Sequence, residues 1–366
     1  MAKTALITGI SGQDGAYLAK ALLARGYRVV GTYRRTSGIA IGRLVELGVA
    51  EDVELVDLEL LEESNIRRLL ERLKPDEIYN LAAQSFVGLS FEQPLYTSDV
   101  NALGVLRLLE AMRESCPAAR FYQASTSEMF GKAQETPQNE RTAFYPRSPY
   151  GVAKLFAHWS VVNYREAHGL YACSGILFNH ESPLRGLDFV TRKVTFGLAR
   201  VALGHQDVLS LGNLESKRDW GFAGEYVEGI WAMLQQDQPD DYVLATGRTV
   251  SVRDFVQGAA TACGFDVEWA GDGIDARAVD KRTGRTIVAV DPKFYRPAEV
   301  DALVGDASKA KATLGWEAKT SLEDLTQMMV KADYDRVKSG IIRCWATDHA
   351  RRARVAGLVP AIHALI

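Results

Sequence analysis

A glycine-rich turn directly after the first apolar run is the feature that most constrains the fold of this chain. Residues 4–8 are apolar enough for a buried strand, and Gly9-Ile-Ser-Gly12-Gln-Asp-Gly15 follows them before a helical pattern that carries Leu18 and Leu22. A strand, a turn and a helix in this order leave backbone N–H groups at a helix N-terminus, where they can hold a pyrophosphate. Three such glycines alone are a weak signal, but after the first strand they predict a dinucleotide-binding unit.

Strands and helices alternate through the first half of the sequence, which predicts an α/β fold with a parallel, doubly wound sheet of the Rossmann type. The further strand candidates are residues 28–33, 53–56, 77–81, 120–124 and 171–178. A helix is predicted over 101–114, where apolar residues recur at helical spacing. We therefore expect residues 1–178 to form the dinucleotide-binding domain.

The pattern changes after residue 178, and residues 179–340 are expected to form mainly a smaller α/β lobe for the substrate, with the chain crossing between lobes. Helices are predicted over 225–235, 252–263 and 321–338, the last opening with the capping signal Ser321-x-x-Asp324. The Gly-, Asp-, Lys- and Arg-rich residues 271–285 are predicted to be a mobile surface insertion. The tail, residues 341–366, is assigned no function.

Tyr150 and Lys154 are the candidate catalytic pair, because a spacing of four residues places both side chains on one face of a helix. A nearby ammonium group favours the phenolate, so Lys154 is expected to lower the pKa of Tyr150 and make it a usable acid or base. Alone the pair could equally be a solvated helix face. The hydroxyl and carboxylate cluster Ser125-Thr-Ser-Glu128 strengthens the catalytic interpretation, since it follows a predicted parallel strand, where α/β sheets place their sites.

Arg34 and Arg35, at the end of the second predicted strand, favour NADP as the cofactor. An acidic residue here would bind the ribose 2′-hydroxyl of NAD, whereas arginine accommodates the 2′-phosphate of NADP. The alternative is a solvated arginine pair. Asp57 and Leu58 could border the adenine, although Asp57 could instead cap the next helix.

Composition excludes several classes of function. A net charge of −3 and a pI near 6.1 give no reason to expect a nucleic-acid surface. The cysteines are far apart and form no Cys-x-x-Cys motif, and the histidines form no ligand cluster, so His180 is interpreted as a hydrogen-bonding group and no metal is expected. With no signal peptide and no apolar run long enough to cross a membrane, a cytoplasmic enzyme that touches neither membrane nor nucleic acid is expected.

Several cations and polar residues in the second half suggest that it recognises a phosphate group. Any one of them could be an ordinary surface residue. The candidates are Asn179, Lys193, Arg218, Arg296 with Glu299, and the turn Leu211-Gly212-Asn213.

Together, these motifs resemble the extended short-chain dehydrogenase/reductase superfamily and, within it, the GDP-mannose 4,6-dehydratase family. The resemblance covers about residues 3–338 and includes the glycine-rich turn, Asn80-Leu-Ala-Ala-Gln-Ser85, Ser125–Glu128, Tyr150-x-x-x-Lys154 and Phe178-Asn-His-Glu-Ser-Pro183. Related dehydratases of dTDP-glucose carry Thr-Asp-Glu in place of Thr126-Ser127-Glu128, and sugar-nucleotide epimerases generally lack the glutamate. That triplet is the discriminating feature.

The resemblance implies a lyase that converts GDP-mannose to GDP-4-keto-6-deoxymannose and water by internal hydride transfer, for deoxyhexose synthesis of the fucose or rhamnose type. Tyr150 would take the C4 hydroxyl proton, with Thr126 sharing that hydroxyl and Lys154 holding the cofactor ribose. Glu128 would remove the C5 proton, and Ser127 or Glu128 would help water to leave from C6. A GDP-4-keto-6-deoxymannose reductase, a sugar-nucleotide epimerase and a catalytically silent nucleotide sensor or scaffold are the alternatives.

The resemblance also implies the binding residues. NADP would contact Gly9, Ile10, Ser11, Gly12, Gln13, Asp14, Arg34, Asp57, Leu58, Leu81, Ala82, Ala83, Gln84, Ser85, Tyr96, Lys154, His180 and Arg185. GDP-mannose would contact Ser85, Asn179, Val190, Lys193, Leu211, Asn213, Arg218, Arg296 and Glu299. A homodimer or homotetramer would form through helices like 101–114 and 150–168, with the Arg35 loop reaching a neighbour's cofactor in the tetramer.

Overall fold

The structure, a computed structural model, describes residues 2–35, 40–294 and 303–340. Its strands, in chain order, are β1 Thr4–Thr8, β2 Arg28–Tyr33, β3 Glu54–Asp57, β4 Glu77–Asn80, β5 Arg120–Thr126, β6 Ala172–Leu177, β7 Asn179–Glu181, β8 Leu209–Leu211, β9 Lys217–Arg218, β10 Trp220–Phe222, β11 Tyr242–Leu244, β12 Val250–Ser251, β13 Val267–Ala270, β14 Arg277–Asp280 and β15 Thr286–Val290. The α-helices are α1 Gln13–Ala24, α2 Gly42–Glu46, α3 Glu63–Leu73, α4 Val87–Glu92, α5 Pro94–Ser98, α6 Gly104–Ser115, α7 Pro149–His168, α8 Val190–Ala202, α9 Ala223–Met233, α10 Val252–Ala262, α11 Ser308–Leu314 and α12 Leu322–Ser339.

The main sheet has seven parallel strands in the order β11-β6-β5-β4-β1-β2-β3. From β1 the chain moves outward to β3 and then returns to the other side of β1 with β4. This reversal makes the sheet doubly wound and opens a crevice at the carboxyl ends of β1 and β4. The predicted fold class is confirmed. The edge strand β11, only three residues long, was not predicted.

Both faces of this sheet are buried, so apolar side chains on either face of a strand pack into a core. Ala5 and Ile7 of β1 point to the face covered by α1 and α9. Leu6, between them, points to the face covered by α3, α6 and α7. Successive side chains of a strand alternate between faces, so one short strand contributes to both cores.

The glycine-rich turn after β1 is closely packed. Gly9 has φ +72°, and a Cβ there would lie 2.8 Å from the backbone nitrogen of Ala82. A Cβ on Gly15 would lie 2.5 Å from the carbonyl oxygen of Gly9. Larger residues at these positions would force the turn away from β4 and α1.

A second, mixed sheet has the order β13-β14-β15-β8, with only its β15–β8 pair parallel. It corrects the prediction of a mobile insertion at residues 271–285, because β14 lies in the middle of that segment and Ala278 is fully buried. Asp280, also buried, accepts a hydrogen bond from Thr283 Oγ1 at 2.8 Å. The polar composition belongs to the turns on either side of the strand.

The predicted helices are present with small changes at their ends. A π-helical turn, Asp99–Leu103, precedes α6, so the predicted helix over 101–114 is regular only from Gly104. The capping signal of α12 is confirmed: Ser321 Oγ accepts from the Asp324 N–H at 3.0 Å and donates to the Asp324 carboxylate at 2.6 Å. The tail, residues 341–366, lies outside the described residues.

Candidate active site

A cavity of about 390 Å³ lies at the carboxyl ends of the central strands, between the main sheet and the second half of the chain. Every predicted catalytic residue lines it, as does every predicted substrate residue in the described part of the chain. Those residues are Thr126, Ser127, Glu128, Tyr150, Lys154, Ser85, Asn179, Val190, Lys193, Leu211, Asn213 and Arg218. Arg296 and Glu299 lie outside the described residues.

Tyr150 and Lys154 project from the first turns of α7 towards β5. Ser148 begins the helix by accepting a hydrogen bond from the Gly151 N–H at 3.0 Å. Lys154 Nζ donates to the carbonyl oxygen of Ala124 at 2.8 Å and lies 5.9 Å from the centre of the Tyr150 ring. Both side chains are buried, so their polar ends are held in a low-dielectric wall of the cavity.

The expected lowering of the Tyr150 pKa by Lys154 is wrong for this structure. Burial raises the pKa of Tyr150 above its ordinary value, and the charge of Glu128 adds to this, while a hydrogen bond with Thr126 and the charge of Arg185 act in the opposite direction. Burial also lowers the pKa of Lys154, to about 8. Desolvation therefore outweighs the attraction that sequence spacing suggested.

Thr126 and Glu128 are fixed where β5 ends. Thr126 Oγ1 accepts a hydrogen bond from the Glu128 N–H at 3.2 Å and so caps a 3₁₀ turn, Ser127–Met129. A Cβ on Gly151 would lie 2.8 Å from the Glu128 carbonyl oxygen, so α7 packs directly on this turn. The end of β5 and the start of α7 therefore hold the predicted catalytic groups on one wall of the cavity.

His180 joins the start of α1 to the region after β6. Its Nδ1 lies 2.7 Å from the Phe178 carbonyl oxygen and its Nε2 lies 2.9 Å from Asp14 Oδ2. These contacts agree with the interpretation of His180 as a hydrogen-bonding group. In residues 2–35, 40–294 and 303–340, no three His, Cys, Asp or Glu side chains form a group that could hold a metal ion.

The predicted NADP residues form two groups. Asp14, Leu81, Ala83, Ser85, Lys154, His180 and Arg185 line the cavity. The others do not line the cavity. Ten of them end or follow one of the first four strands in the sequence: Gly9, Ile10, Ser11, Gly12, Gln13, Arg34, Asp57, Leu58, Ala82 and Gln84. Tyr96 lies in α5 and contacts Arg34. The Ile10 side chain is fully buried, so only its backbone could contact a cofactor.

Arg34 and Arg35 are exposed at the end of β2. Arg34 donates to the hydroxyl of Tyr96, and Arg35 lies 3.5 Å from the Asp57 carboxylate. Asp57 is the last residue of β3, while Glu62 caps the next helix by accepting from the Ser64 N–H. The alternative interpretation of Asp57 as a helix cap is therefore wrong.

Lys193 and Arg218 also line the cavity. Lys193 Nζ lies 3.5 Å from the centre of the Phe294 ring, and burial lowers the pKa of Lys193 to about 8. Arg218 is buried and donates to the Lys217 carbonyl oxygen at 2.7 Å. The ammonium group of Lys193 and the guanidinium of Arg218 suit an anionic ligand.

Sequence reasoning missed several residues that shape the cavity, including Glu181, Asp188, Phe189 and Trp220. The Arg185 guanidinium lies 3.6 Å from the centre of the Phe189 ring and 3.1 Å from the Glu181 carboxylate. Glu181 lies within the motif Phe178–Pro183, so it could have been predicted from the sequence as a residue of the cavity.

Two arginines and one aspartate, also missed, hold the loop that carries Arg185. Arg43 donates to the carbonyl oxygens of Ser11 and Leu184 at 2.8 and 2.7 Å. Arg192 donates to the carbonyl oxygens of Pro183 and Arg185, each at 2.7 Å, and pairs with the fully buried Asp333 of α12. These contacts connect residues far apart in the sequence, and no local pattern signals them.

A doubly wound sheet, a glycine-rich turn and a buried Tyr-x-x-x-Lys pair define this protein as a Rossmann-type enzyme of the short-chain dehydrogenase/reductase class. Solved structures of similar fold include a UDP-glucose 4-epimerase from Bifidobacterium longum in complex with NAD+ and UDP, with a TM-score of 0.76 and 23% identity over 92% of this chain and 98% of that one. Another is RMD from Pseudomonas aeruginosa complexed with NADPH, with a TM-score of 0.71 and 21% identity over 91% of this chain and 100% of that one.

The chain belongs to the GDP-mannose 4,6-dehydratase family, a family of hydro-lyases. The model of that family, described as GDP-mannose 4,6 dehydratase, matches residues 6–329. Similar proteins are the GDP-mannose 4,6-dehydratases of Sinorhizobium fredii (strain HH103), 55% identical over 90% of this chain and 96% of that protein, and of Vibrio cholerae, 50% identical over 91% and 94%.

Proposed function

We propose that this protein converts GDP-mannose to GDP-4-keto-6-deoxymannose and water, with NADP as an internal hydride carrier. Family membership supports the reaction. The observation that carries the proposal is the convergence of Thr126, Glu128, Tyr150 and Lys154 on one wall of a cavity that Lys193 also lines. An acid/base pair, a second carboxylate and a cation for a diphosphate are the groups that this chemistry needs.

The residues present fit NADP. A side chain at Gly9 would meet the backbone of Leu81 and Ala82 after β4, and one at Gly15 would meet the turn itself, so the backbone of the turn stays uncovered, as a pyrophosphate site requires. Arg34 and Arg35 supply exposed cations at the end of β2 for a 2′-phosphate. When bound, NADP supplies hydride acceptance from C4 of the sugar and hydride return to C6.

The protein's own groups would move the protons. Tyr150 takes the C4 hydroxyl proton as C4 becomes a ketone, with Thr126 hydrogen-bonded to the same hydroxyl. The ketone acidifies the C5 proton, which Glu128 removes. Ser127 or Glu128 then delivers a proton to the departing C6 hydroxyl, so that water leaves. A proton returns to C5 and Tyr150 gives up the one it took, so that the residues end as they began and no external reductant is consumed. Lys154 holds the ribose and, with its pKa of about 8, remains mainly an ammonium group at neutral pH.

The first test is to incubate the purified protein with GDP-mannose and no reductant, following the sugar product and any net change in NADPH. Parallel reactions contain dTDP-glucose and UDP-glucose. We expect a 4-keto-6-deoxy sugar from GDP-mannose alone, with no net change in NADPH. No product from GDP-mannose, together with stoichiometric loss of NADPH in a separate reaction that contains added NADPH and a GDP-4-keto-6-deoxy sugar, would contradict the proposal and support the reductase alternative.

A Glu128→Gln variant tests the assignment of the C5 base. The amide keeps the shape of the side chain but cannot accept the C5 proton, so we expect bound NADP and a loss of turnover of at least about 100-fold. Glu166→Gln, at an exposed position of α7, is the matched control and should keep wild-type turnover. Turnover of Glu128→Gln near the wild-type rate would remove Glu128 from the mechanism.

We further propose that the protein associates as a homodimer or homotetramer through the helices over 101–114 and 150–168, with α5 beside them. Leu95, Val152, Phe156 and Trp159 are exposed there, with Leu95 85% accessible and Trp159 55%. An apolar surface of this kind favours association with another protein surface. Trp159→Glu should shift the protein towards monomers in analytical ultracentrifugation, whereas Ile274→Glu, at an exposed apolar residue elsewhere, should not. An unchanged mass for Trp159→Glu would exclude this surface.

The cytoplasm is the proposed location. Cys116 and Cys173 are buried free thiols, which suits a reducing compartment. In the described part of the chain, no helix is long and apolar enough to cross a membrane.

A further inference from the structure

The imidazole of His180 lies between two hydrogen-bond acceptors. Nδ1 faces the carbonyl oxygen of Phe178 at 2.7 Å, and Nε2 faces the Asp14 carboxylate at 2.9 Å. A carbonyl oxygen has no proton to donate, so Nδ1 must carry a hydrogen. Nε2 could lack one only if Asp14 were protonated.

The surroundings of Asp14 favour its carboxylate form. Gln13 Nε2 donates to Asp14 Oδ1 at 2.9 Å, and Asp14 lies in the first turn of α1, where the helix N-terminus favours a negative charge. Burial alone would raise the pKa of Asp14, but the charge and hydrogen bond of His180, the hydrogen bond of Gln13 and the charge of Arg185 lower it to about 2. The hydrogen bond of Gln13, the helix N-terminus and the charge of Arg185 favour the carboxylate independently of His180, and a hydrogen on Nε2 of His180 pairs with it.

The other groups around His180 are consistent with a charged ring. The Tyr226 ring of α9 stacks on it with ring centres 4.7 Å apart, and the face of an aromatic ring attracts a cation. Burial and the charge of Arg185 disfavour the charged ring, but Asp14 outweighs them and raises the pKa of His180. Asp14 from α1 and Arg185 from the loop after β7 act on the charge of His180, and Tyr226 from α9 packs against its ring.

We propose that His180 is held as a doubly protonated imidazolium that neutralises Asp14 in the cavity wall, so that the charge of Asp14 does not oppose ionisation of Tyr150. This inference rests on the proposed role of Tyr150 as the base at C4. His180 is then a positioning residue, which acts on the reaction through Asp14 and transfers no proton itself. Burial disfavours the Tyr150 phenolate most; a hydrogen bond with Thr126 and the charge of Arg185 favour the phenolate, and the charges of Glu128 and then Asp14 disfavour it.

The protonation state can be measured without any assay of activity. In holoenzyme with ¹⁵N-labelled histidine, both ring nitrogens of His180 should show the chemical shifts of protonated nitrogen from about pH 6 to about pH 8, a range that brackets the ordinary pKa of histidine. His180→Gln assigns the signals. His158 is the internal reference: burial lowers its pKa, and its Nδ1 lies 3.3 Å from a Ser125 hydroxyl that can donate, so it should be neutral above about pH 7. An unprotonated ring nitrogen at His180 in the same range would overturn the proposal.

The effect on Tyr150 is tested with three variants at saturating NADP: His180→Gln, Asp14→Asn and the double variant. In His180→Gln, glutamine can still donate to Asp14 but carries no charge. The limb of the pH profile of kcat/KM that reports Tyr150 should therefore move up by about one pH unit. At pH values below that limb, kcat/KM should be about tenfold lower than in the wild-type protein. Adding Asp14→Asn should reverse most of that shift.

A merely structural role for His180 predicts a different result. Activity would fall in His180→Gln without movement of the limb, and the double variant would be no better than either single one. Either finding would overturn the proposed masking of Asp14. If the wild-type protein itself fails to dehydrate GDP-mannose, the proposed function fails, while the ¹⁵N measurement still decides the charge of His180.

Discussion

Asp333→Asn should destabilise the protein strongly, although residue 333 does not line the cavity. The fully buried carboxylate accepts from Arg192 Nε and Thr195 Oγ1 at 2.7 Å, and from Arg336 Nη1 at 2.9 Å. Asparagine removes the charge and leaves the buried Arg192 uncompensated. Breaking a buried ion pair in this way costs about 3 kcal/mol, or about two orders of magnitude in the unfolding equilibrium.

Urea unfolding followed by tryptophan fluorescence measures this loss. With an m-value of about 3 kcal/mol per molar, the midpoint should fall by about 1 M at a fixed protein concentration. Asp335→Asn is the matched control on the same helix, because its pair with Lys331 is exposed to solvent, so loss of that pair should leave the midpoint almost unchanged. Midpoints of Asp333→Asn and Asp335→Asn within about 0.2 M of each other would refute the reasoning.

Two further predictions concern ligand binding. Lys193 has a pKa lowered to about 8, so its positive charge is lost as the pH rises through that value, and the affinity for GDP-mannose should fall above about pH 8. In isothermal titration calorimetry, Lys193→Gln should bind GDP-mannose more weakly and without this pH dependence. An unchanged pH dependence in the variant would exclude Lys193 as its cause. Gly15→Ala places a Cβ 2.5 Å from the Gly9 carbonyl oxygen and should weaken NADP binding at least about tenfold, roughly 1.4 kcal/mol, in fluorescence titration. Gly258→Ala, whose Cβ would meet only Thr326 Cγ2 at 3.6 Å, should bind NADP normally, and equal affinities for the two variants would contradict this account of the turn.

Sequence patterns predicted the parts of this protein that depend on local order. The strands of the main sheet are apolar on both faces, and the turn around Gly9 follows the first of them, so the fold class followed directly. Tyr150, Lys154 and Glu128 were predicted because their spacing and their place after β5 have chemical meaning. All line the same cavity.

The errors and omissions come from effects that act over long distances in the sequence. Tyr150 has a raised pKa because it is buried, and spacing alone does not reveal burial. The strand β14 was hidden by the polar turns around it, and its burial depends on β13 and β15. Arg192 and Asp333 are separated by 141 positions, so no local motif connects them.

The pairing of Arg192 with Asp333 also has a consequence for the order in which the protein becomes active during synthesis. Most of the main sheet is encoded before residue 178, but β11 and the helix that holds the Arg185 loop come much later. A nascent chain can therefore collapse around the Rossmann-type sheet well before its cavity wall is secured. Chains that end before α12 would keep much of the sheet but lack the buried Asp333 carboxylate that anchors this wall. The active site is therefore complete only once the last described helix has been synthesised and has packed.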